Sequence, residues 1–314
     1  FVESVRPGDD GPGRYHDGER WRNLVAREET LHVRGGDSVA LTVRETRHGP
    51  LVNDLLPRSR EPLALAWSGA WPGDGIGPWL RAARAGDGDA FVAALARHHE
   101  PALAVAWVDV RGQGGTQVVG WIPSRALPSG LVPVSGRSTW AQWQEPVPAE
   151  RLPAARLGAR RPTLVVADGP LERGAHRRVE WLWRTGERQR RIETLLAEAA
   201  AEGPVGLPRM AALQLAATSG GARELLDSVA SLAGSPAQLG PEGREVLALL
   251  QDWDGVASRE SGGAAVYHVF LGRLTRALLE PVLGPELFER YVALVHANPR
   301  PLVARILAGA EGWG

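Results

Sequence analysis

Eight histidines and no cysteine bound the side-chain chemistry open to this chain. Without cysteine there is no thiolate nucleophile, no disulfide and no Cys-ligated zinc. The histidines stand at 16, 32, 48, 98, 99, 176, 268 and 296. None forms the H-E-x-x-H pair that puts two imidazoles on one helix face for zinc. His98-His99 is the nearest approach to a ligand pair, but adjacent histidines at a helix end are read as capping or surface residues, with metal binding as the alternative. No G-x-S-x-G nucleophile elbow occurs. Arg111-Gly112-Gln113-Gly114-Gly115 is glycine-rich, yet no Walker lysine follows it and a hairpin turn accounts for it. Twelve tryptophans suggest a carbohydrate or aromatic ligand, although their positions near strand and helix ends fit core packing. Residue types and spacing alone leave the function open.

The elements that would position any site fall into two kinds. Up to about residue 187, short apolar runs alternate with polar residues and are punctuated by Gly and Pro, the pattern of strands and turns. Glu29–Val33 and Ser38–Arg44 are expected to pair across Arg34-Gly35-Gly36-Asp37. Leu63–Ser68, Ala102–Val110, Thr116–Ile122 and Thr163–Ala167 read as further strands, with Asp109–Gly115 as a turn. Helices are expected at Pro78–Ala85 and Asp89–His98, the second capped by its Asp. Pro123–Pro133 and Pro146–Pro162 read as ordered loops.

Beyond residue 187 the period becomes helical. Ile192, Leu195, Leu196 and Ala199 share a face, as do Met210, Leu213 and Ala217, then Leu225, Val229 and Leu232. Val246, Leu247, Leu249 and Leu250 follow, and Ala264–Leu279 carries Tyr267, Phe270, Leu271, Leu274 and Leu278 at helical spacing. The reading is an α+β protein with residues 1–186 as a sheet-rich part and 187–314 as a mainly helical part.

The 314 residues suffice for a sizeable core, with 44% hydrophobic and 23% charged residues. A formal net charge of zero gives no global field towards nucleic acid or an anionic membrane. Every basic residue other than histidine is arginine, scattered among Asp and Glu, which is read as a compositional habit. No apolar run is long enough for a membrane-spanning helix. The chain opens at Phe1 without an initiator methionine or a signal peptide, so it is expected to be a processed product or an internal piece of a longer chain.

Several segments, in order, resemble the penicillin acylase family of N-terminal-nucleophile hydrolases. Phe1-Val2-Glu3-Ser4-Val5, Gly13-Arg14-Tyr15, Asp17-Gly18-Glu19 and Arg27-Glu28-Glu29-Thr30 look like an early β-chain segment. Val43-Arg44-Glu45-Thr46-Arg47-His48-Gly49-Pro50 is similar to the T-R-H-G-P signature and is the most specific match. Leu65-Ala66-Trp67 and Val108-Asp109-Val110-Arg111-Gly112 resemble a strand and the A-D-x-x-G turn. Leu131-Val132-Pro133-Val134-Ser135-Gly136, with Trp140 and Trp143 downstream, resembles the L-L-P-V-P-G stretch. Arg190-Arg191-Ile192-Glu193 and Trp253-Asp254-Gly255 match two further landmarks. Each motif is weak alone; their colinearity over nearly the whole chain is what carries the resemblance.

The resemblance implies a four-layer αββα fold, of which this chain would be part, and an αβ heterodimer cut from one precursor. It implies amide hydrolysis by an N-terminal serine whose own α-amine, with a pKa of about 8, serves as general base. That serine would lie upstream of Phe1, so the partners are the α chain, the remaining β-chain segments and a small acylated substrate. Trp67 falls where the family has an aromatic residue lining the acyl pocket, and Leu103 at another apolar pocket position, with plain core packing as the alternative for both. Arg191 matches an arginine that helps order the site. Glu180 falls where some members place a calcium-binding carboxylate; a surface glutamate is the preferred reading. The chemistry requires no cofactor, and a structural calcium is the one the resemblance allows. Export to the periplasm or medium is implied, with an intracellular biosynthetic role left open.

One departure bears on activity. The family places an Asn, commonly in an A-N-N run, whose amide donates to the tetrahedral oxyanion. Here the run reads Val166-Ala167-Asp168-Gly169-Pro170. An ionised Asp168 repels developing negative charge, and Gly169 has no side-chain donor. Loss of one oxyanion donor costs on the order of a hundred- to a thousandfold in rate. Two readings follow: an amidohydrolase acting on a β-lactam, an acyl-homoserine lactone or an acyl peptide, or a catalytically degenerate member that binds a ligand or partner.

Overall fold

The hairpin is organised by its turn. In the computed structural model, which describes residues 1–8, 11–56, 61–125, 132–159, 162–167, 186–232, 239–293 and 299–309, Gly35 takes φ +79, a conformation glycine adopts without a Cβ penalty. The flanking strands pair antiparallel from Val25↔Glu45 to Leu31↔Val39, and the second continues into a two-residue strand. The strands are β1 (Val5–Arg6), β2 (Arg14–His16), β3 (Trp21–Asn23), β4 (Val25–Leu31), β5 (Val39–Thr46), β6 (Gly49–Pro50), β7 (Leu103–Val108), β8 (Gly114–Val119), β9 (Pro123–Ser124), β10 (Gln144–Pro146) and β11 (Ala154–Arg156). They form small sheets ordered β1-β2-β3, β4-β5-β6, β11-β8-β7 and β10-β9.

The glycine-rich turn also behaves as expected. Asp109 Oδ1 accepts from the backbone of Arg111 at 2.9 Å and Gln113 at 3.0 Å, closing the loop between β7 and β8 with Gly112 at φ +77. Two short helices pack beside this sheet, α1 (Gly77–Ala82) and α2 (Gly88–Leu95). Their contact buries Ala82, Leu95 and Val119, with Trp79, Phe91 and Val105 around them. A second small core joins Val118, Ile122 and Leu152.

Three expectations need correction. The cap of α2 is Asp87, whose side chain accepts from Ala90 N at 2.8 Å, while Asp89 sits inside the first turn. Asp87 has the extended backbone an N-cap requires. Leu63–Ser68 is no continuous strand: only Leu63 and Ala64 make single bridges, to Val2 and Leu51, and the chain then coils into a 3-10 turn over Ser68–Ala70. Thr163–Ala167 makes no ladder among the described residues, so its β-branched composition finds no partner there to satisfy it. The Pro-rich stretches expected as loops also contribute the short strands β9 and β11 and the last residue of β10. Asp87→Ala should destabilise the protein more than Asp89→Ala, because it removes the helix cap as well as an ion pair with Arg111, whereas Asp89→Ala removes an exposed pair with Arg156; urea unfolding of the two variants checks this.

The helical part is organised by its periodicity. Its elements are α3 (Glu187–Ala201), α4 (Leu207–Gln214), α5 (Gly220–Leu232), α6 (Pro241–Asp252), α7 (Gly262–Leu283), α8 (Pro285–Val292) and α9 (Pro299–Leu307). Ala222, Leu225, Leu226, Leu250, Trp253, Tyr267 and others form one core, lined by Phe270, Leu271, Leu274 and Leu278 at the expected spacing. Each such aliphatic side chain taken from water contributes roughly 1.5–3 kcal/mol. Leu232, expected on the same face, is 60% exposed, because α5 ends there. Trp253-Asp254-Gly255 proves to be the stop of α6. Arg223 Nη1 donates to the carbonyls of Leu250, Gln251 and Trp253 at 3.2, 3.2 and 2.8 Å, supplying donors to a helix end that lacks its own. Asp254 accepts from Val256 N, and Gly255 takes φ +83.

By packing, the described residues fall into two compact units, one within residues 1–166 and one from 186 onwards. Helices and small antiparallel sheets together make the protein α+β. Among the described residues no helix is long and apolar enough to cross a membrane.

Candidate functional site

The T-R-H-G-P segment proves to be the centre of a buried polar network. Glu3, whose side chain is fully buried, faces His48, 7% exposed, with 2.5 Å between Glu3 Oε1 and His48 Nδ1. Thr46 donates its hydroxyl to the same carboxyl oxygen at 2.9 Å and accepts from His48 N at 3.0 Å. On the far side of the ring, His48 Nε2 lies 2.7 Å from Gln142 Oε1. Gln142 is oriented in turn by donating to Ser138 O at 2.8 Å. Arg47 N donates to the Tyr15 hydroxyl at 3.2 Å and Arg47 Nη2 to Gly136 O at 3.1 Å. The Phe1 ring stacks on His48 with centroids 4.0 Å apart. Gly49, at φ +116, lies so close to the Leu65 carbonyl that a Cβ there would overlap it.

Burial pushes the Glu3 carboxyl up, but the hydrogen bond and charge of His48 and the Thr46 hydroxyl outweigh it, leaving it below its ordinary value. A carboxylate depressed on folding contributes stability that is present above its unfolded pKa and lost as pH falls through the folded one. The stability difference between the protein and Glu3→Gln should therefore be largest above pH 4.5, the ordinary glutamate value, and shrink below it. Paired urea titrations at pH 7 and pH 3.5 check this. The network has the features of a structural lock, and sequence reading missed it because its members are 45 and 94 residues apart. The clue was available in the signature itself, where Thr46, His48 and Gly49 fall within four residues.

The residues expected to line a site are placed as follows. Trp67 caps the 3-10 turn at Ser68–Ala70, is 60% exposed, and its indole lies over Gly69. Leu103 opens β7 opposite Val119 and is 38% exposed. Neither is a fully buried core residue, and neither lines the cavity of about 560 Å³ that Arg191 lines. Arg191 lies on α3 and lines a cavity of about 560 Å³. Asp168, Gly169 and Glu180 lie outside the described residues. Among the described residues no three His, Asp or Glu come together as a metal site.

His98-His99 is neither a cap nor a surface pair. His98 is 4% exposed, with Nε2 2.8 Å from Pro101 O and its ring edge-on to Trp79. His99 packs its ring 5.8 Å from Trp121, which continues through Trp71 to Trp143. These rings pack on one another, with Trp71 still 47% exposed. A charged cluster that the sequence did not single out lies in the helical unit: Glu187 pairs with Arg300, and Arg300 Nη1 donates to Ser219 Oγ at 2.8 Å. Its only sequence signal was Ser219-Gly220-Gly221 at a helix start.

Comparison with known proteins accounts for these motifs together. A family model described as penicillin amidase matches residues 1–311. The acyl-homoserine lactone acylase QuiP of Pseudomonas fluorescens is 26% identical over 313 residues, covering 90% of this chain and 36% of that protein. Penicillin G acylase of Escherichia coli is 31% identical over 150 residues, covering 45% of this chain and 17% of that protein. The chain thus spans about a third of the length of the curated relatives it matches along most of its length. The fold is that of the thermostable penicillin G acylase of Alcaligenes faecalis, with a TM-score of 0.72 at 18% identity, covering 93% of this chain and 53% of that one. The colinear motifs, the α+β architecture and the match along residues 1–311 have one explanation: this chain belongs to the penicillin amidase family.

Proposed function

We propose that the chain is part of an acylase, an amide hydrolase that splits an N-acylated substrate into a carboxylic acid and an amine. The observation that carries this reading is the family match along residues 1–311. In the proposed reaction an N-terminal serine on a segment outside this chain attacks the acyl carbonyl, passing its proton through its own α-amine to the departing amine. Water then releases the acid from the acyl-enzyme. The substrate is a β-lactam, an acyl-homoserine lactone or an acyl peptide.

This chain supplies supporting walls. Trp67 and Leu103 serve the acyl group, a role supported by their exposed apolar surface, and Arg191 orders the site. The proposed partners are the α chain and the remaining β-chain segments from one precursor, and the proposed compartment is the periplasm or medium. The chemistry needs no cofactor. A rise in thermal midpoint on adding calcium to chelator-treated protein, absent in Glu180→Gln, would give Glu180 a calcium-binding role.

A second reading rests on Asp168-Gly169, which replaces the oxyanion amide with a carboxylate: a degenerate member that binds the acylated ligand without turnover. Intact mass and N-terminal sequence of the full-length protein, followed by assay of amine release from N-acyl substrates, separates the two. A processed chain beginning with serine and a burst of amine support the acylase. In that case Asp168→Asn raises kcat. A single uncut chain that binds the amide without releasing amine overturns the acylase reading and leaves the binding one.

A further inference from the structure

The helical unit holds a cavity of about 560 Å³, within the range of small-molecule sites, and its two ends differ chemically. One end carries Glu187, Arg191, Ser219 and Arg300, so among the described residues the guanidinium groups of Arg191 and Arg300 meet the carboxylate of Glu187. The other wall is apolar, made by Ile192, Leu195, Leu196, Met210 and Leu213. Met210 is unbranched and adapts to irregular apolar ligands.

The charged end is incompletely satisfied. Glu187 occupies one anion position, paired with Arg300 and lying against Gly221, where an added Cβ would sit 2.7 Å from its carboxyl group. That places a carboxylate at the start of α5, the end of a helix that favours negative charge. Arg300 spends its two terminal nitrogens on Glu187 and Ser219, and its Nε is buried without a hydrogen-bond partner. Arg191 Nε is likewise buried without one. Burial lowers the Arg300 guanidinium below its ordinary value, a cost that a nearby anion offsets. A buried charged donor left unmatched is destabilising.

We infer that this cavity binds a monocarboxylic acid with an apolar tail, the carboxylate against Arg191 and Arg300 and the tail along Leu195, Leu196, Met210 and Leu213. Charge selects the anion, the single apolar wall selects one tail, and the volume excludes macromolecular ligands. Such an acid is the class of product released by the proposed hydrolysis, but the inference rests on the cavity and not on turnover. Trp67 and Leu103 line no part of this cavity.

The test is calorimetric titration of the full-length protein with octanoate, using acetate and octan-1-ol as probes lacking the tail and the charge. Saturable one-to-one binding of octanoate, with at least tenfold weaker binding of both controls, is expected. Arg191→Gln should weaken octanoate at least tenfold, and Met210→Trp, which fills the tail space without touching the charges, should do the same. Circular dichroism confirms that each variant is folded. Equal binding of octanoate and octan-1-ol, or octanoate binding unchanged in folded Met210→Trp, overturns the inference. Protein with its nucleophile blocked by a sulfonyl fluoride should bind octanoate unchanged; loss of binding there would place the acid in the catalytic pocket and overturn the inference while leaving the acylase reading intact.

Discussion

His48→Ala is expected to lower the unfolding free energy by about 3–5 kcal/mol, because it leaves a buried carboxylate without its partner. The Glu3 side chain is fully shielded from water and its Oε2 already lacks a hydrogen bond, so loss of the imidazole leaves, among the described residues, the Thr46 hydroxyl as its hydrogen-bond donor and the Phe1 ammonium as a nearby charge. The same substitution removes the group facing Gln142 and the ring stacked on Phe1. Urea unfolding at pH 7, followed by tryptophan fluorescence, measures the effect. A loss below 1 kcal/mol would mean that the pair behaves like an exposed one, and the network would have no claim to hold the fold. The double variant Glu3→Ala with His48→Ala should lose less than the sum of the single losses, since each single change strands the other partner.

Gly49→Ala is the second large effect, at about 2–4 kcal/mol. Part is conformational: at φ +116 a side chain is strained wherever it sits, which costs on the order of 1–3 kcal/mol. The rest is steric, because the new methyl group would overlap the backbone carbonyl of Leu65 and no flexible side chain can yield. Gly35→Ala separates the two contributions. Gly35 also has positive φ, +79, but nothing lies within 4 Å of its would-be Cβ, so only the conformational part, about 1–2 kcal/mol, applies. Equal losses at both positions would remove the steric argument.

The parts of the fold legible in the sequence were those fixed by neighbours along the chain. The β4–β5 and β7–β8 hairpins followed from alternation around glycine-bearing turns, and the face Tyr267, Phe270, Leu271, Leu274 and Leu278 followed from helical spacing. Where two local answers were equally good, the sequence did not choose. Asp87 and Asp89 are both acids before an apolar run, and only the extended backbone at Asp87 makes it the cap. Leu63–Ser68 had a strand's composition, but pairing is a property of partners, and its bridges are single ones, Leu63 to the distant Val2 and Ala64 to Leu51. The same reason hid the Glu3–His48–Gln142 network and the Glu187–Arg300–Ser219 cluster, whose members meet only through the fold. The motifs exposed the family, while the jobs of Thr46, His48 and Gly49 within their signature became visible only with their contacts.

The span of that network has a kinetic meaning. Bringing His48 to Gln142 closes 94 residues of chain, against 45 for His48 to Glu3, and each doubling of a loop adds about 0.6 kcal/mol of closure entropy. Contacts this distant are rewarded only after the intervening hairpins and helices have formed. The network should therefore be absent from the folding transition state and complete only at its end. Interactions of that kind leave the folding rate nearly unchanged and act by slowing escape from the native state. The signature's imidazole then sets how long the protein stays folded more than how quickly it gets there.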